Sequence, residues 1–73
     1  MRVKGVEITD AQIEKITLSM KTRFRAADII AAAEAAGVEK GEVAMRTADR
    51  LIQNQRKAKQ IRIVDSGPYW EPA

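Results

Sequence analysis

The stretch that decides the fold is "AAGVEKGEVAMRTADRLIQNQRKAKQIRIV", residues 35–64. It begins with a Gly-Val turn, continues as a half-apolar helix and a basic segment, and ends in a short run with strand character. Two interpretations fit this order. The helix either contacts nucleic acid and is followed by a β-hairpin, or it is the packing helix of a small domain that contacts none.

The positive charge of the chain is concentrated in the same stretch. The 73 residues carry 13 basic and 10 acidic side chains, a net charge of +3 at pH 7. Residues 39–65 contain seven of the basic and four of the acidic side chains, whereas residues 1–38 contain six and five. Clustered positive charge attracts phosphate, although a solvated helix face produces the same pattern.

The composition argues against several classes of function. The chain has no Cys and no His, which removes the common zinc ligands and the usual nucleophile and base of enzymes. Its four glycines are isolated, so the sequence has no Gly-rich phosphate-binding loop. We therefore expect no catalytic activity, no metal or other cofactor, and no small-molecule substrate.

Length and hydropathy predict one small domain, residues 1–73. Folding at this size buries only about 60% of the surface of the unfolded chain, so stability depends on core packing or on a partner. No apolar run approaches the roughly 18 residues of a membrane span, and "MRVKGVEITD" lacks the apolar core of a signal peptide. With the absence of Cys, these features predict a cytoplasmic protein with no membrane partner, associated with the nucleoid if the source is prokaryotic.

The clearest helix start lies in "EITDAQIEKITLSMK", residues 7–21. Thr9 and Gln12 have the spacing of a capping box, which satisfies free backbone N–H groups at a helix start. Apolar residues then recur at three- and four-residue intervals, namely Ile13, Ile16 and Met20. This spacing predicts a first helix over about residues 10–20 with one buried stripe.

Two more helices follow, joined by a tight turn. An extended segment around Phe24 precedes an alanine-rich run that predicts a helix over about 26–36, which Gly37 ends in a left-handed conformation. Val38 is expected to point inward from the turn. The third helix is predicted over about 42–57, and its inward-facing residues are Ala44, Ala48, Leu51, Ile52 and Gln55.

The C-terminal segment changes to the period of a β-strand. Ile61 and Ile63 alternate with polar residues, "DSGP" is typical of a turn, and Tyr69 and Trp70 can form a return strand. A hairpin over about 60–71 is therefore predicted. The fold class is α+β and mostly helical, with three helices and a C-terminal β-hairpin.

This order of elements resembles the winged helix-turn-helix family over about residues 10–71. The resemblance is carried by "FxAADIIxAAEAAGV", by "DRLI" near the end of the next helix, and by "IRIVDSGPYW". It implies that the helix over 42–57 is a recognition helix for the major groove, that the hairpin is a wing, and that residues near Phe24 join it as a third strand. The sequence departs from the family in one respect. The family usually buries the position of Val43 first, whereas the predicted buried stripe here starts one residue later, at Ala44.

The resemblance implies two sets of DNA contacts. Those to bases or the groove are Lys40, Met45, Arg46, Asp49, Arg50 and Gln53. Those to phosphate are Lys21, Arg23, Arg25, Asn54, Lys57, Lys59 and Arg62. Arg46 and Arg50 are four residues apart, so both project from one helix face, where each can reach guanine O6 and N7 or a phosphate.

The predicted function is sequence-specific or structure-directed binding of duplex DNA, by a small transcriptional regulator or accessory DNA-binding factor. A net charge of +3 implies weak binding by a monomer, which a homodimer or a larger protein partner would strengthen. The alternative is a winged-helix module for protein interaction or dimerisation without direct DNA contact. This alternative is favoured by Glu39, Glu42, Met45 and the tip "DSGP", which has no basic residue. Trp70 is either a core residue or an interface anchor.

Overall fold

The computed structural model describes residues 1–64 and 67–73. Three helices lie within these ranges: α1 (Asp10–Leu18), α2 (Ala26–Ala35) and α3 (Glu42–Lys57). Two antiparallel two-stranded sheets accompany them: β1 (Arg2–Val3) with β2 (Val6–Glu7), and β3 (Ile61–Ile63) with β4 (Trp70–Pro72). The prediction of an α+β fold with three helices and a C-terminal hairpin is confirmed, and the N-terminal hairpin was not predicted.

Part of the predicted turn, residues 65 and 66, lies outside the described residues. No helix in the described ranges has the length and apolar character needed to cross a membrane.

The capping box at the start of α1 is confirmed. The Thr9 hydroxyl oxygen accepts a hydrogen bond of 3.1 Å from the Gln12 backbone N–H, and the Gln12 side-chain oxygen accepts one of 3.0 Å from the Thr9 N–H. The Gln12 amide nitrogen also donates to the Ala36 carbonyl at 3.2 Å, which joins the start of α1 to the end of α2. α1 ends at Leu18, two residues before the predicted end, and Met20 is still buried.

The turn after α2 fixes where that helix ends. Gly37 has a φ of +93°, and its N–H donates to the Glu34 carbonyl while the Val38 N–H donates to the Ala33 carbonyl, each at 3.0 Å. This is the Schellman arrangement, in which glycine takes the left-handed position and the helix's last carbonyls are satisfied. Val38 is buried as predicted, so the turn is fixed by both hydrogen bonds and packing.

The inner face of α3 supplies much of the core. Its predicted stripe is confirmed for Ala44, Ala48, Leu51 and Ile52, which are all buried. The stripe is wider than predicted, because Val43 and Thr47 are buried as well, so the expected start at Ala44 in place of Val43 was wrong. The Thr47 hydroxyl donates to the Val43 carbonyl at 2.7 Å, which leaves no unsatisfied polar group at that position. Gln55 is half-buried.

The segment around Phe24, which was expected to join the C-terminal hairpin as a third strand, meets the hairpin at one isolated bridge. Phe24 and Trp70 exchange two backbone hydrogen bonds, of 2.9 and 2.8 Å. Phe24 is 2% exposed and Trp70 packs half-buried against the core. The core interpretation of Trp70 therefore agrees with its position, and the bridge connects the hairpin to the helices.

Candidate nucleic-acid interface

The outer face of α3 lines a solvent-accessible groove of about 410 Å³. Six predicted contact residues lie together there: Arg46, Asp49, Arg50, Gln53, Asn54 and Lys57. Helical geometry brings them to one side, since positions three and four apart are neighbours on a helix surface. The opposite side of α3 is held in the core, so these side chains extend from a fixed support. We call this concavity the α3 groove. It also has an opposite wall, formed by the N-terminal hairpin.

The N-terminal hairpin forms the opposite wall of the α3 groove through Arg2, Val3 and Lys4. Val3 is buried, and it anchors the hairpin to the core. The Arg50 guanidinium donates through Nη1 to the Arg2 carbonyl oxygen at 2.8 Å. The hairpin and α3 are thus joined by both apolar packing and a hydrogen bond.

Sequence reasoning missed this hairpin, although a local signal for it exists. Lys4 and Gly5 both have positive φ, +50° and +79°, which is the requirement of the two-residue turns that match the twist of paired strands. Lys4-Gly5 is a weaker signal for that turn than the Asn-Gly or Asp-Gly pairs that usually form it. Each strand is only two residues long, so no alternating pattern could develop.

The lining of the α3 groove is strongly cationic. Across the described ranges it includes one acidic side chain, Asp49, and five basic ones: Arg2, Lys4, Arg46, Arg50 and Lys57. Facing walls that carry the same charge focus positive potential into a concavity. The arrangement therefore favours an extended anion over an apolar or cationic ligand.

Glu42 at the start of α3 connects the two walls. Its Oε1 accepts a hydrogen bond of 3.0 Å from Arg46 Nε and lies 3.3 Å from Lys4 Nζ. The hydrogen bond from Arg46, and then that from Lys4, lower the pKa of the Glu42 carboxyl below its ordinary value. Ion pairs that are open to solvent contribute little stability, so Arg46 and Lys4 can exchange this carboxylate for another anion.

The lowered pKa of Glu42 gives a defined direction of pH dependence. A carboxyl whose pKa is lower in the folded state contributes stability above its ordinary pKa. The contribution of Glu42 to stability is lost as the pH falls through the lowered pKa that its carboxyl has in the folded protein. Below that range Lys4 and Arg46 have no carboxylate partner in Glu42, and the α3 groove becomes more positive.

Seven of the thirteen predicted contacts lie outside the α3 groove in the described part of the chain, and four of these are spread over separate surfaces. Lys40 is in the turn before α3, and Met45, one position before Arg46 on α3, is 53% exposed and does not line the groove. Lys59 follows α3 with a φ of +61°. Lys21 lines a separate depression with Thr17 and Gln55. The interface predicted from sequence is therefore divided among several surfaces.

The other three predicted phosphate contacts lie on the C-terminal hairpin and on the segment that bridges to it. The guanidinium carbons of Arg23 and Arg25 are 5.9 and 5.8 Å from the centroid of the Tyr69 ring, near the outer limit of cation–π contact. Arg62 Nη2 lies 3.3 Å from Glu71 Oε2. The structure brings these three predicted phosphate contacts to the hairpin and its neighbouring segment, where one of them is paired with a carboxylate.

Known proteins do not supply a family for this chain. No protein-family model, curated protein or solved structure matches it at a significant level. Function is therefore inferred from the α3 groove, its charges and the way in which the fold supports it.

Proposed function

We propose that the protein is a winged helix-turn-helix domain that binds duplex DNA, as a small transcriptional regulator or accessory DNA-binding factor. In this proposal α3 is the recognition helix and the β3–β4 hairpin is the wing. The observation that carries the proposal is the cationic groove along the outer face of α3. The order of elements and the bridge between Phe24 and Trp70 support the same family.

The chemistry of the outer face suits both base edges and phosphates. Arg46 and Arg50 present planar guanidinium groups, which bind guanine or phosphate through two parallel hydrogen bonds. The bond from Arg50 to the Arg2 carbonyl uses one of the five N–H donors of its guanidinium, so the remaining donors are free to meet DNA. Gln53 can bind adenine, and Asn54 and Lys57 continue the stripe toward the backbone.

Met45 and Glu42 favour a second candidate function, a protein-interaction or dimerisation module with the same fold. Met45 exposes 53% of its surface beside the stripe, and Glu42 neutralises part of the charge of Arg46. A partner bound there would cover an apolar side chain and a carboxylate. The five basic side chains of the α3 groove favour an anionic polymer instead, so DNA is the leading candidate.

The test is a titration of the protein with a labelled random-sequence duplex at several salt concentrations. Binding should appear at about 50 mM salt, and the logarithm of the association constant should fall linearly with the logarithm of salt, by about 0.9 for each phosphate contacted. Replacing Arg50 with Ala should weaken binding to a selected sequence by about 1–3 kcal/mol if Arg50 contacts a base. An equal loss of affinity for all duplex sequences would indicate that Arg50 contacts phosphate and no base.

Lys15→Ala is the matched control for Arg50→Ala. Lys15 lies on α1, and in the part of the chain that the structure describes it does not line the α3 groove. Both variants lose one positive charge, so a general charge effect would reduce binding equally in the two. Absence of salt-dependent binding by the unaltered protein at about 50 mM salt would exclude the DNA proposal, and self-association burying Arg46 and Arg50 would favour the second candidate.

A further inference from the structure

The N-terminal hairpin adds two cations to the wall of the α3 groove that faces α3. Arg2 and Lys4 line the α3 groove opposite Arg46 and Arg50. The hairpin precedes residues 10–71, the region that resembles the winged-helix family, so nothing in that resemblance assigns it a role. It therefore requires its own explanation.

The hairpin is held firmly against the domain. Val3 and Ile8, at its two ends, are 4% and 1% exposed. The Met1 ammonium donates to the Ile8 carbonyl at 3.1 Å and to Glu7 Oε2 at 3.0 Å. These two bonds close the hairpin on itself. The burial of Val3 and Ile8 and the bond from Arg50 to the Arg2 carbonyl fix its position beside α3. A fixed arm loses little conformational entropy when it binds a ligand.

The cations of the hairpin are accessible from solvent. The side chains of Arg2 and Lys4 are 69% and 46% exposed. Arg2 lies 3.8 Å from Glu7 and Lys4 lies 3.3 Å from Glu42, in pairs that water screens. A phosphate has the charge and the acceptor oxygens needed to replace either carboxylate.

The strands of the C-terminal hairpin carry one basic residue, Arg62, which is paired with Glu71. Arg23 and Arg25 lie at Tyr69 and, in the described ranges, do not line the α3 groove. The turn "DSGP" of this hairpin has no basic residue in the sequence. The N-terminal hairpin therefore supplies the cations that lie directly opposite α3.

We propose that the N-terminal hairpin, residues 1–8, is a second DNA-binding arm in which Arg2 and Lys4 contact the phosphate backbone beside the base pairs facing α3. This inference rests on the proposed function of α3. Without DNA, Glu42 holds Lys4 and Arg46 at opposite walls of the α3 groove. On binding, phosphate oxygens take the place of the carboxylate.

The test compares two double variants that each lose two positive charges. Arg2→Gln with Lys4→Gln removes the proposed contacts and keeps the Arg2 carbonyl that accepts from Arg50. Lys15→Gln with Arg56→Gln is the control, because in the described ranges neither of these residues lines the α3 groove. Thermal unfolding followed by circular dichroism checks that both variants fold.

The hairpin variant should show a log–log salt slope that is shallower than the control's by about 2, since each phosphate contact contributes about 0.9. Its loss of affinity between about 50 and 200 mM salt should then be about tenfold smaller than that of the control. Equal slopes in the two double variants would overturn the inference. Lys4→Gln alone, compared with Lys15→Gln, provides the same test with less disturbance of the fold, and its slope should change by about 1.

Failure of the inference can be distinguished from failure of the proposed function. If the hairpin is not an arm, the unaltered protein still binds DNA with salt dependence and Arg50→Ala still weakens binding. If the unaltered protein shows no salt-dependent binding, the proposed function and the arm fail together.

Discussion

The two β-hairpins of this domain both consist of a short antiparallel strand pair, and they have different surroundings. The C-terminal hairpin pairs through Trp70 with Phe24 and buries Ile61 in the core. The N-terminal hairpin packs through Val3, while Arg2 and Lys4 remain in solvent beside α3. The first completes the fold, and the second extends a charged surface. A hairpin's role is thus set by which side chains its neighbours cover.

Among variants that test the two hairpins, Phe24→Ala is expected to have the largest effect, a loss of stability at the C-terminal hairpin. Phe24 is 2% exposed, and its removal should lower the free energy of unfolding by about 3–5 kcal/mol, through lost burial and a cavity beside Trp70. Urea denaturation followed by circular dichroism measures the change. Leu18→Ala is the control, because Leu18 is 58% exposed and should change stability by less than about 0.5 kcal/mol. Equal losses in the two variants would contradict the structural role of the C-terminal hairpin.

A smaller effect is expected at Lys59, which precedes the C-terminal hairpin. α3 ends as α2 does, with the Gln60 N–H donating to the Gln55 carbonyl at 2.9 Å and the Lys59 N–H to the Arg56 carbonyl at 3.0 Å. Here a lysine with a φ of +61° takes the left-handed position, so Lys59→Gly should stabilise the protein by about 1 kcal/mol. The change should appear as a higher urea midpoint with an unchanged m value.

Ala58→Gly is the control for Lys59→Gly. Ala58 has a φ of −79°, so glycine relieves no strain there and should be neutral or mildly destabilising. If both variants lose stability to the same extent, the strain assigned to Lys59 is absent.

The smallest effect is expected from Glu42→Gln, which tests the charge of the N-terminal hairpin. The variant removes the carboxylate shared by Lys4 and Arg46. It should raise affinity for duplex DNA modestly, because the carboxylate no longer competes with phosphate for Lys4 and Arg46, and it should leave the log–log salt slope nearly unchanged, because the number of phosphate contacts is the same. Glu39→Gln is the control, with the same change of charge in the turn before α3. Weaker DNA binding by Glu42→Gln than by Glu39→Gln would count against the α3 groove as the binding surface.

The helices could be predicted because their signals are local. Thr9 and Gln12 lie within one turn, Gly37 ends α2 through bonds to its own last residues, and α3 has the predicted bounds of 42–57. The shared face of Arg46 and Arg50 likewise follows from helical spacing. These features require no knowledge of which segments meet in the folded protein.

The rest of the site could not be predicted because it depends on distant contacts. Arg50 meets the carbonyl of Arg2, a residue 48 positions earlier in the chain. Two-residue strands have too few side chains for a pattern, so the N-terminal hairpin is stabilised by tertiary contacts such as the burial of Val3. The width of the α3 stripe was missed for a different reason: Thr47 is polar, and in the fold its hydroxyl is satisfied by a bond to the Val43 carbonyl four residues earlier.

The most direct test of the account is a map of backbone amide chemical-shift changes on addition of duplex DNA. The largest changes are expected in residues 2–5 and 46–57, on the two walls of the α3 groove, with smaller changes in β3 and β4. Changes confined to the C-terminal hairpin and the segment around Arg23, or no changes at low salt, would contradict it.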